Sequence, residues 1–473
     1  MGNVFTLTYA ASGGSLQFNL ISLFPPTYHN RPNGNRPELM SALNGLNPSF
    51  LRLPGGNNLE GSSAPNLWKW NQTIGPLKNR PGRPGTWGYE NTDGLGLIEY
   101  MHWCQDLNME PILAVWSGLY LDGTVIPEDQ LQPYVQFALD ELEFLMGDAS
   151  TTYGAQRIAL GYPQPFPIKY VEVGNEDNLW GGLTSYQTYR FQMFYDAISK
   201  AYPNINVIAS TIDLTLPGNA DGDYHEYALP DQLVAQFNLF DNQNNGVHKT
   251  LVGEIAVKDG NMPGPNAGVN YSAPGLQYPE WIGSVAEAVF FLGMERNSEK
   301  VIGASYAPTL ENINSIQWQP DMISFDADPD QTALSTSWHV ISLLSNNRIA
   351  QTLPISGAEY NPAFYVAGTS TSGGRLFKAA VYNSTGEVDM DVKFDGIAGG
   401  TSATLTTLTA PSGFSMDAVD GPNVVKTSTF HFTANSAGTF HFTLPNLSVA
   451  VLEIKTPKGY SRVMAREYFE AEN

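Results

Sequence analysis

The regular alternation of short apolar runs with longer amphipathic runs constrains this chain most. Strand-like runs stand at Phe50–Leu53, Pro111–Trp116, Ile168–Val173, Val207–Ser210, Thr250–Ala256 and Val301–Ala304. Helical patterns lie between them, at Arg36–Leu43, Gly94–Leu107, Asp129–Met146, Ser185–Ala201, Leu233–Phe240, Tyr278–Arg296 and Asp330–Ser345. Strands that take turns with helices over such a length predict a parallel sheet or a closed barrel. Beyond residue 346 the rhythm stops. Short runs at Phe364–Ala367, Leu376–Val381, Ser402–Leu405, Thr429–Phe432 and Val449–Ile454 are separated by Gly, Ser, Thr and Asn. That spacing predicts an all-β sandwich. Two further strand pieces are expected near the start, at Val4–Thr8 and Leu16–Leu20.

Charge narrows the partners. A net charge of −22 repels phosphates and anionic lipid, which argues against nucleic acid and membrane surfaces. No apolar run reaches the roughly 18 residues of a spanning helix. The lone cysteine, Cys104, forms no internal disulfide and reads as a small core residue. The first residues lack the basic start and apolar run of a signal peptide. No His/Cys/Asp cluster has metal-ligand spacing and no glycine loop follows the phosphate pattern, so no cofactor is expected. The 23 Tyr, 23 Phe and 9 Trp suit stacking on sugar faces, and suit a large core equally well.

Several strands end on polar residues, which is where barrel enzymes keep their chemistry. Val171-Glu172-Val173 runs into Gly174-Asn175-Glu176-Asp177, and Val252-Gly253-Glu254-Ile255-Ala256 sets one carboxylate in an apolar strand. Arg52-Leu53-Pro54-Gly55-Gly56-Asn57 ends another strand, and Asp223-Tyr224-His225-Glu226-Tyr227 falls where a further strand edge belongs. Glycoside hydrolysis needs two carboxyl groups flanking one bond, one protonated and one ionised. Glu176 and Glu254, on non-adjacent strands, fit that need. Asn175 is placed to hold a sugar 2-hydroxyl, a bond that strengthens in the transition state. Structural explanations remain open. Gly-Asn-Glu-Asp reads also as a polar turn with Asp177 or Asn178 capping a helix. Glu254 reads also as a buried partner of an Arg or Lys, and His225 as a structural histidine. Arg52 reads as a structural cation holding carboxylates inside the barrel, and Glu172 alternates so as to point into it. Trp116 and Trp318 are core rings or site-lining rings. Glu60 and Glu226 carry no strong case.

These motifs resemble those of glycoside hydrolase family 51, the α-L-arabinofuranosidases, and most closely the fungal members. The resemblance rests on Leu23-Phe24-Pro25-Pro26-Thr27, Arg31-Pro32-Asn33-Gly34 and Leu53-Pro54-Gly55-Gly56-Asn57-Asn58-Leu59-Glu60-Gly61. It continues in Trp68-Lys69-Trp70-Asn71, Arg80-Pro81-Gly82-Arg83-Pro84-Gly85, Gly174-Asn175-Glu176-Asp177 and His225-Glu226-Tyr227. It implies a (β/α)8 TIM barrel with its first strand missing, followed by a β-sandwich. The expected division is 1–22, a remnant of an N-terminal β domain; 23–345, the barrel; 346–460, the sandwich; and 461–473, a tail. It implies retention of configuration, with Glu176 as acid/base and Glu254 as nucleophile. Asn57, Asn175, His225 and Tyr227 would bind the sugar. Arabinose-containing polysaccharides and oligosaccharides would be the substrates, and secretion and glycosylation would be normal for the family. The strand expected to be absent would carry a further sugar-binding Glu and follow the signal peptide. Lys258 and Asp259 follow Glu254 where bacterial relatives carry an aromatic, a place Trp318 could fill. An endo-acting glycanase of similar fold, or a truncated chain that only binds glycan, are the competing expectations.

Overall fold

The computed structural model describes residues 6–10, 12–18, 21, 24–243, 247–264, 267–316 and 318–455. Seven strands form one parallel sheet in chain order: β1 (Phe50–Leu53), β2 (Glu110–Val115), β3 (Tyr170–Val173), β4 (Asn206–Ala209), β5 (Asp221–Ala228), β6 (Thr250–Val257) and β7 (Val301–Tyr306). Each pairs in parallel with the next. Strands buried on both faces read as continuous apolar runs, and Leu113, Ala114, Val171, Val173, Val207, Ile208, Leu251 and Val252 are all buried.

The barrel expectation holds, with seven strands among the described residues in place of eight. No ladder joins β1 to β7 there. Side chains bring the two together instead. Phe50 lies so near β7 that a Cβ on Gly303 would fall 2.7 Å from its ring. Phe50 and Ile302 pack with Ile112, Ile208 and Leu251 at one end of the barrel.

Helices cover the sheet. They include α1 (Pro37–Gly45), α2 (Leu97–Leu107), α3 (Glu128–Met146), α4 (Phe191–Ala201), α5 (Pro230–Ala235), α6 (Trp281–Glu295) and α7 (Thr336–Asn346). The expected helix at 330–345 begins later than its pattern suggested. Ser335 caps it, its hydroxyl accepting from Trp338 N, and a short strand at Ala333–Leu334 precedes it.

Helix α6 is mostly apolar and buried nearly all round, with Trp281, Val285, Ala288, Val289, Phe290 and Leu292 enclosed together with the polar Ser284 and Glu287. A helix of that kind has little solvent face. It lies between the barrel and the C-terminal β domain, sharing one core with Val340, Phe364, Val366, Leu376 and Val451. Across this seam the Lys378 ammonium spends its three donors on Glu295 Oε1 (2.6 Å), Glu295 Oε2 (2.8 Å) and the Leu344 carbonyl (3.0 Å).

The C-terminal β domain contains a six-stranded sheet and a two-stranded one, all antiparallel. Each strand expected from the sequence lies in it. Gln351–Leu353, Val388–Lys393 and Thr439–Leu444 are additional strands. Near the start the described parts of the two expected strands, Thr6–Thr8 and Leu16–Phe18, are exposed coil. Val4, Phe5, Asn19, Leu20 and the expected tail at 461–473 lie outside the described residues.

Candidate active site

The site forms at the C-terminal ends of β1, β3, β5 and β6. Arg52, on β1, is its hub. Its Nε donates to Glu172 Oε2 (2.6 Å), and one terminal nitrogen donates to Glu172 Oε1 and Asn175 Oδ1 (both 2.8 Å). The other terminal nitrogen donates to Glu254 Oε1 at 3.0 Å. A planar guanidinium serves four acceptor oxygens on three residues this way, one more than the three donors of a lysine. Glu172 is fully buried. Burial pushes its pKa up to about 8, with the charge of Arg52 opposing.

The turn after β3 is shaped by two unusual backbones. Gly174 has φ +88, and a Cβ there would lie 1.8 Å from Asp177 Oδ2. Glu176 itself has φ +45, a left-handed conformation costly for a residue with a side chain. Such strain persists where surrounding contacts over-determine the backbone, as they do here. Asp177 does not cap a helix, which corrects that structural reading. It is buried against Arg190 and accepts from Ser117 Oγ (2.7 Å) and Ser210 Oγ (2.8 Å). Anchored from three sides, it holds the turn that presents Glu176.

On β5 and β6 the register shifts between Asp223 and His225, a bulge that sets His225 opposite Glu254. Gly253 makes this possible: a Cβ there would stand 2.2 Å from Asp223 Oδ2. In that space the Asp223 carboxylate accepts from Gly253 N (2.7 Å) and lies 3.0 Å from His225 Nε2. The other ring nitrogen, Nδ1, lies 2.9 Å from Glu176 Oε1 and 3.7 Å from Glu254 Oε2. Tyr227 donates its hydroxyl to Glu254 Oε2 at 2.6 Å. One oxygen from each of Glu176 and Glu254 and a nitrogen of His225 lie within 4.8 Å of one another.

The electrostatics separate these groups. Burial opposes charge on His225, but Glu254 and Asp223 outweigh it and hold the imidazolium well above its usual range. Burial pushes Glu254 upward as well. His225, Arg52 and the Tyr227 hydroxyl outweigh that and hold the carboxyl below its ordinary value. Glu254 is therefore an ionised carboxylate at neutral pH. Side-chain exposures of 21% for Glu176 and 14% for Glu254 leave both open to a ligand. Two trios, Glu172–Asp223–His225 and Glu176–His225–Glu254, have metal-like spacing. Arg52 and the imidazolium already supply the positive charge these carboxylates need.

The structure thus gathers Asn57, Asn175, Glu176, His225, Tyr227 and Glu254. Asn57 Oδ1 accepts from Asn175 Nδ2 at 3.2 Å. Trp318 reaches the site through Tyr227, the ring centroids 5.2 Å apart and T-shaped, with Trp87, Tyr271 and Lys258 around it. Trp116 is different: it is 6% exposed, packs on Tyr120 and Tyr134, and donates Nε1 to the Leu119 carbonyl. The site-lining expectation for Trp116 is corrected to a core role. Two buried carboxyls join the site without being site candidates in the sequence: Asp223 has no assigned role there, and Glu60 carries no strong case. Asp223 stands two residues from His225 on one strand, and Glu60 stands three from Asn57 on one helical turn. Those spacings place each pair on a common face, and they were the available signal.

Residues 42–245 match the α-L-arabinofuranosidase 1 domain and residues 253–448 the α-L-arabinofuranosidase C-terminal domain. A probable α-L-arabinofuranosidase A of Aspergillus terreus is 44% identical over 454 residues, covering 94% of this chain and 68% of that protein. The α-L-arabinofuranosidase A of Aspergillus niger is 44% identical over 451 residues, covering 93% and 68%. An arabinose-bound family 51 α-L-arabinofuranosidase superposes with a TM-score of 0.84 at 35% identity, over 92% of this chain and 69% of that one. The arabinose complex of the Thermotoga maritima enzyme shares the fold, with a TM-score of 0.71 at 20% identity over 91% and 92%. The chain belongs to the α-L-arabinofuranosidases of glycoside hydrolase family 51.

Proposed function

We propose that this chain is a retaining, exo-acting α-L-arabinofuranosidase that removes terminal arabinofuranosyl units from arabinoxylan or arabinan by double displacement. One observation carries the reading. Glu254 is held ionised by Arg52, His225 and Tyr227, with Glu176 across His225 from it at close range. Retaining enzymes keep their two carboxyl groups about 5–5.5 Å apart, too close for an intervening water.

In the first step Glu254 attacks the anomeric carbon while Glu176 gives its proton to the departing glycosidic oxygen. The C–O bond to the leaving group breaks and an ester to Glu254 forms. In the second step Glu176 takes a proton from water, whose oxygen attacks the same carbon, and the ester breaks with Glu254 as the carboxylate. Asn175, fixed by Arg52, offers an amide to the sugar 2-hydroxyl beside Asn57. Trp318, Tyr271 and Trp87 form an aromatic rim suited to a sugar face.

The test is hydrolysis of 4-nitrophenyl α-L-arabinofuranoside by the chain and by Glu254→Ala, followed by product analysis on arabinan. Turnover lost in the variant and single arabinose as first product support the reading. Oligomers as first product would point to endo action, and turnover equal in the variant would remove Glu254 from the chemistry.

A further inference from the structure

The Asn175 amide is oriented from both ends. Arg52 holds its oxygen at 2.8 Å. On the other side its nitrogen donates to Asn57 Oδ1 (3.2 Å) and, closer, to Glu60 Oε2 (3.0 Å). Glu60 is 1% exposed, and its other oxygen, Oε1, is buried with no hydrogen-bond partner. A sealed carboxyl with one satisfied oxygen is costly unless it serves something. It sits on a rigid support. The turn Asn57–Glu60 is closed by Gly61 N donating to the Asn57 carbonyl, and Gly61 has φ +72 with the Asn66 carbonyl 2.3 Å from where a Cβ would stand. The flanking Leu59 carbonyl accepts from Trp68 N at 3.0 Å.

We infer that Glu60 is a positioning residue for the sugar 2-hydroxyl: it takes one Asn175 amide hydrogen so that the other is aimed at the substrate. The inference rests on the proposed reaction and deepens it. An unpinned primary amide has two near-equivalent orientations that exchange its oxygen and nitrogen. Arg52 selects the first end and Glu60 the second. Asn57, which shares the remaining hydrogen in the free protein, yields it when sugar enters. Glu60 itself never meets substrate, because both its oxygens are sealed. Its surroundings favour the neutral acid, through burial first and then through Asp177, Glu176 and Glu254. A neutral acid accepts through its carbonyl oxygen, as a glutamine does.

Three variants and a pair of substrates separate positioning from bulk support. The parent substrate is 4-nitrophenyl α-L-arabinofuranoside, and its partner is the 2-deoxy analogue. Glu60→Leu keeps most of the volume and removes the acceptor, Glu60→Ala removes both, and Glu60→Gln keeps both. For Leu and Ala, kcat/KM on the parent is expected to fall about tenfold or more, chiefly in kcat, and on the 2-deoxy analogue to change little. Glu60→Gln is expected to match the unaltered chain on both. An equal loss on both substrates in a folded Leu or Ala variant would overturn the inference. So would a Gln variant that loses the parent activity, which decides the matter even if the others fail to fold. An unaltered chain that hydrolyses neither compound overturns the proposed reaction and this inference with it, whereas an active chain with equal penalties overturns this inference alone.

Discussion

Tyr227 donates its hydroxyl to Glu254 Oε2 over 2.6 Å, and this bond helps keep the carboxylate ionised. Glu254 is lowered by His225 and Arg52 and then by Tyr227, against the upward push of burial. Removing the donor in Tyr227→Phe lets its pKa rise. Activity that needs the ionised form is then lost at a higher pH. The acid limb of kcat/KM against pH is expected to move upward, with the plateau about 10- to 100-fold lower. An unmoved limb would mean that Glu254 does not set it.

His225 links protonation to stability. Its folded pKa lies well above the ordinary histidine value, raised by Glu254 and Asp223 against burial. The stabilisation is full below the unfolded value, about 6.5, and is lost as pH rises through the folded one. His225→Gln should therefore lower Tm more at mildly acidic pH than at alkaline pH. Thermal melts of both proteins across that range check the sign.

Gly253 has room for no side chain, because a Cβ would meet Asp223 Oδ2 at 2.2 Å and its Oδ1 and Cγ at 2.7 Å. Gly253→Ala must displace the carboxylate that holds His225. A loss of about 1–3 kcal/mol in stability is expected from the overpacking, with a fall in kcat beyond what the folded fraction explains. Denaturant unfolding and active-site titration measure the two parts.

The two tryptophans should separate cleanly. Trp116→Ala opens a core site and should cost about 3–5 kcal/mol with KM unchanged in the folded fraction. Trp318→Ala should leave stability nearly intact and raise KM roughly threefold to tenfold, the worth of one aromatic contact.

Those two residues also show what the sequence could and could not carry. Both are tryptophans near the end of a strand or in a strand-connecting loop, and periodicity does not say which way a ring turns. The fold was legible because strands buried on both faces leave continuous apolar runs, as at Ile112–Val115 and Val207–Ala209. The β domain was legible only in part: Val388–Lys393 alternates exposed and buried residues, with Asp and Lys on the exposed side, and that polarity hid it. The glutamate pair was legible because Gly174-Asn175-Glu176 breaks a strand and Glu254 interrupts one. Asp177 misled, since a carboxylate after a turn looks like a helix cap until Arg190 is seen beside it. Asp223 and Glu60 were hidden for a related reason. Their work is done through His225 and Asn175, and contacts between side chains far apart in sequence leave no local pattern.

In the proposed double displacement Glu254 forms the covalent intermediate. The decisive measurement is mass spectrometry of Glu176→Ala after brief reaction with an aryl α-L-arabinofuranoside bearing a good leaving group. Without the general base, the second step slows and the intermediate accumulates. A mass increase of one pentosyl unit, mapped to the peptide containing Glu254, is the expected result. Turnover of the same substrate with no adduct, or an adduct on another residue, would contradict it.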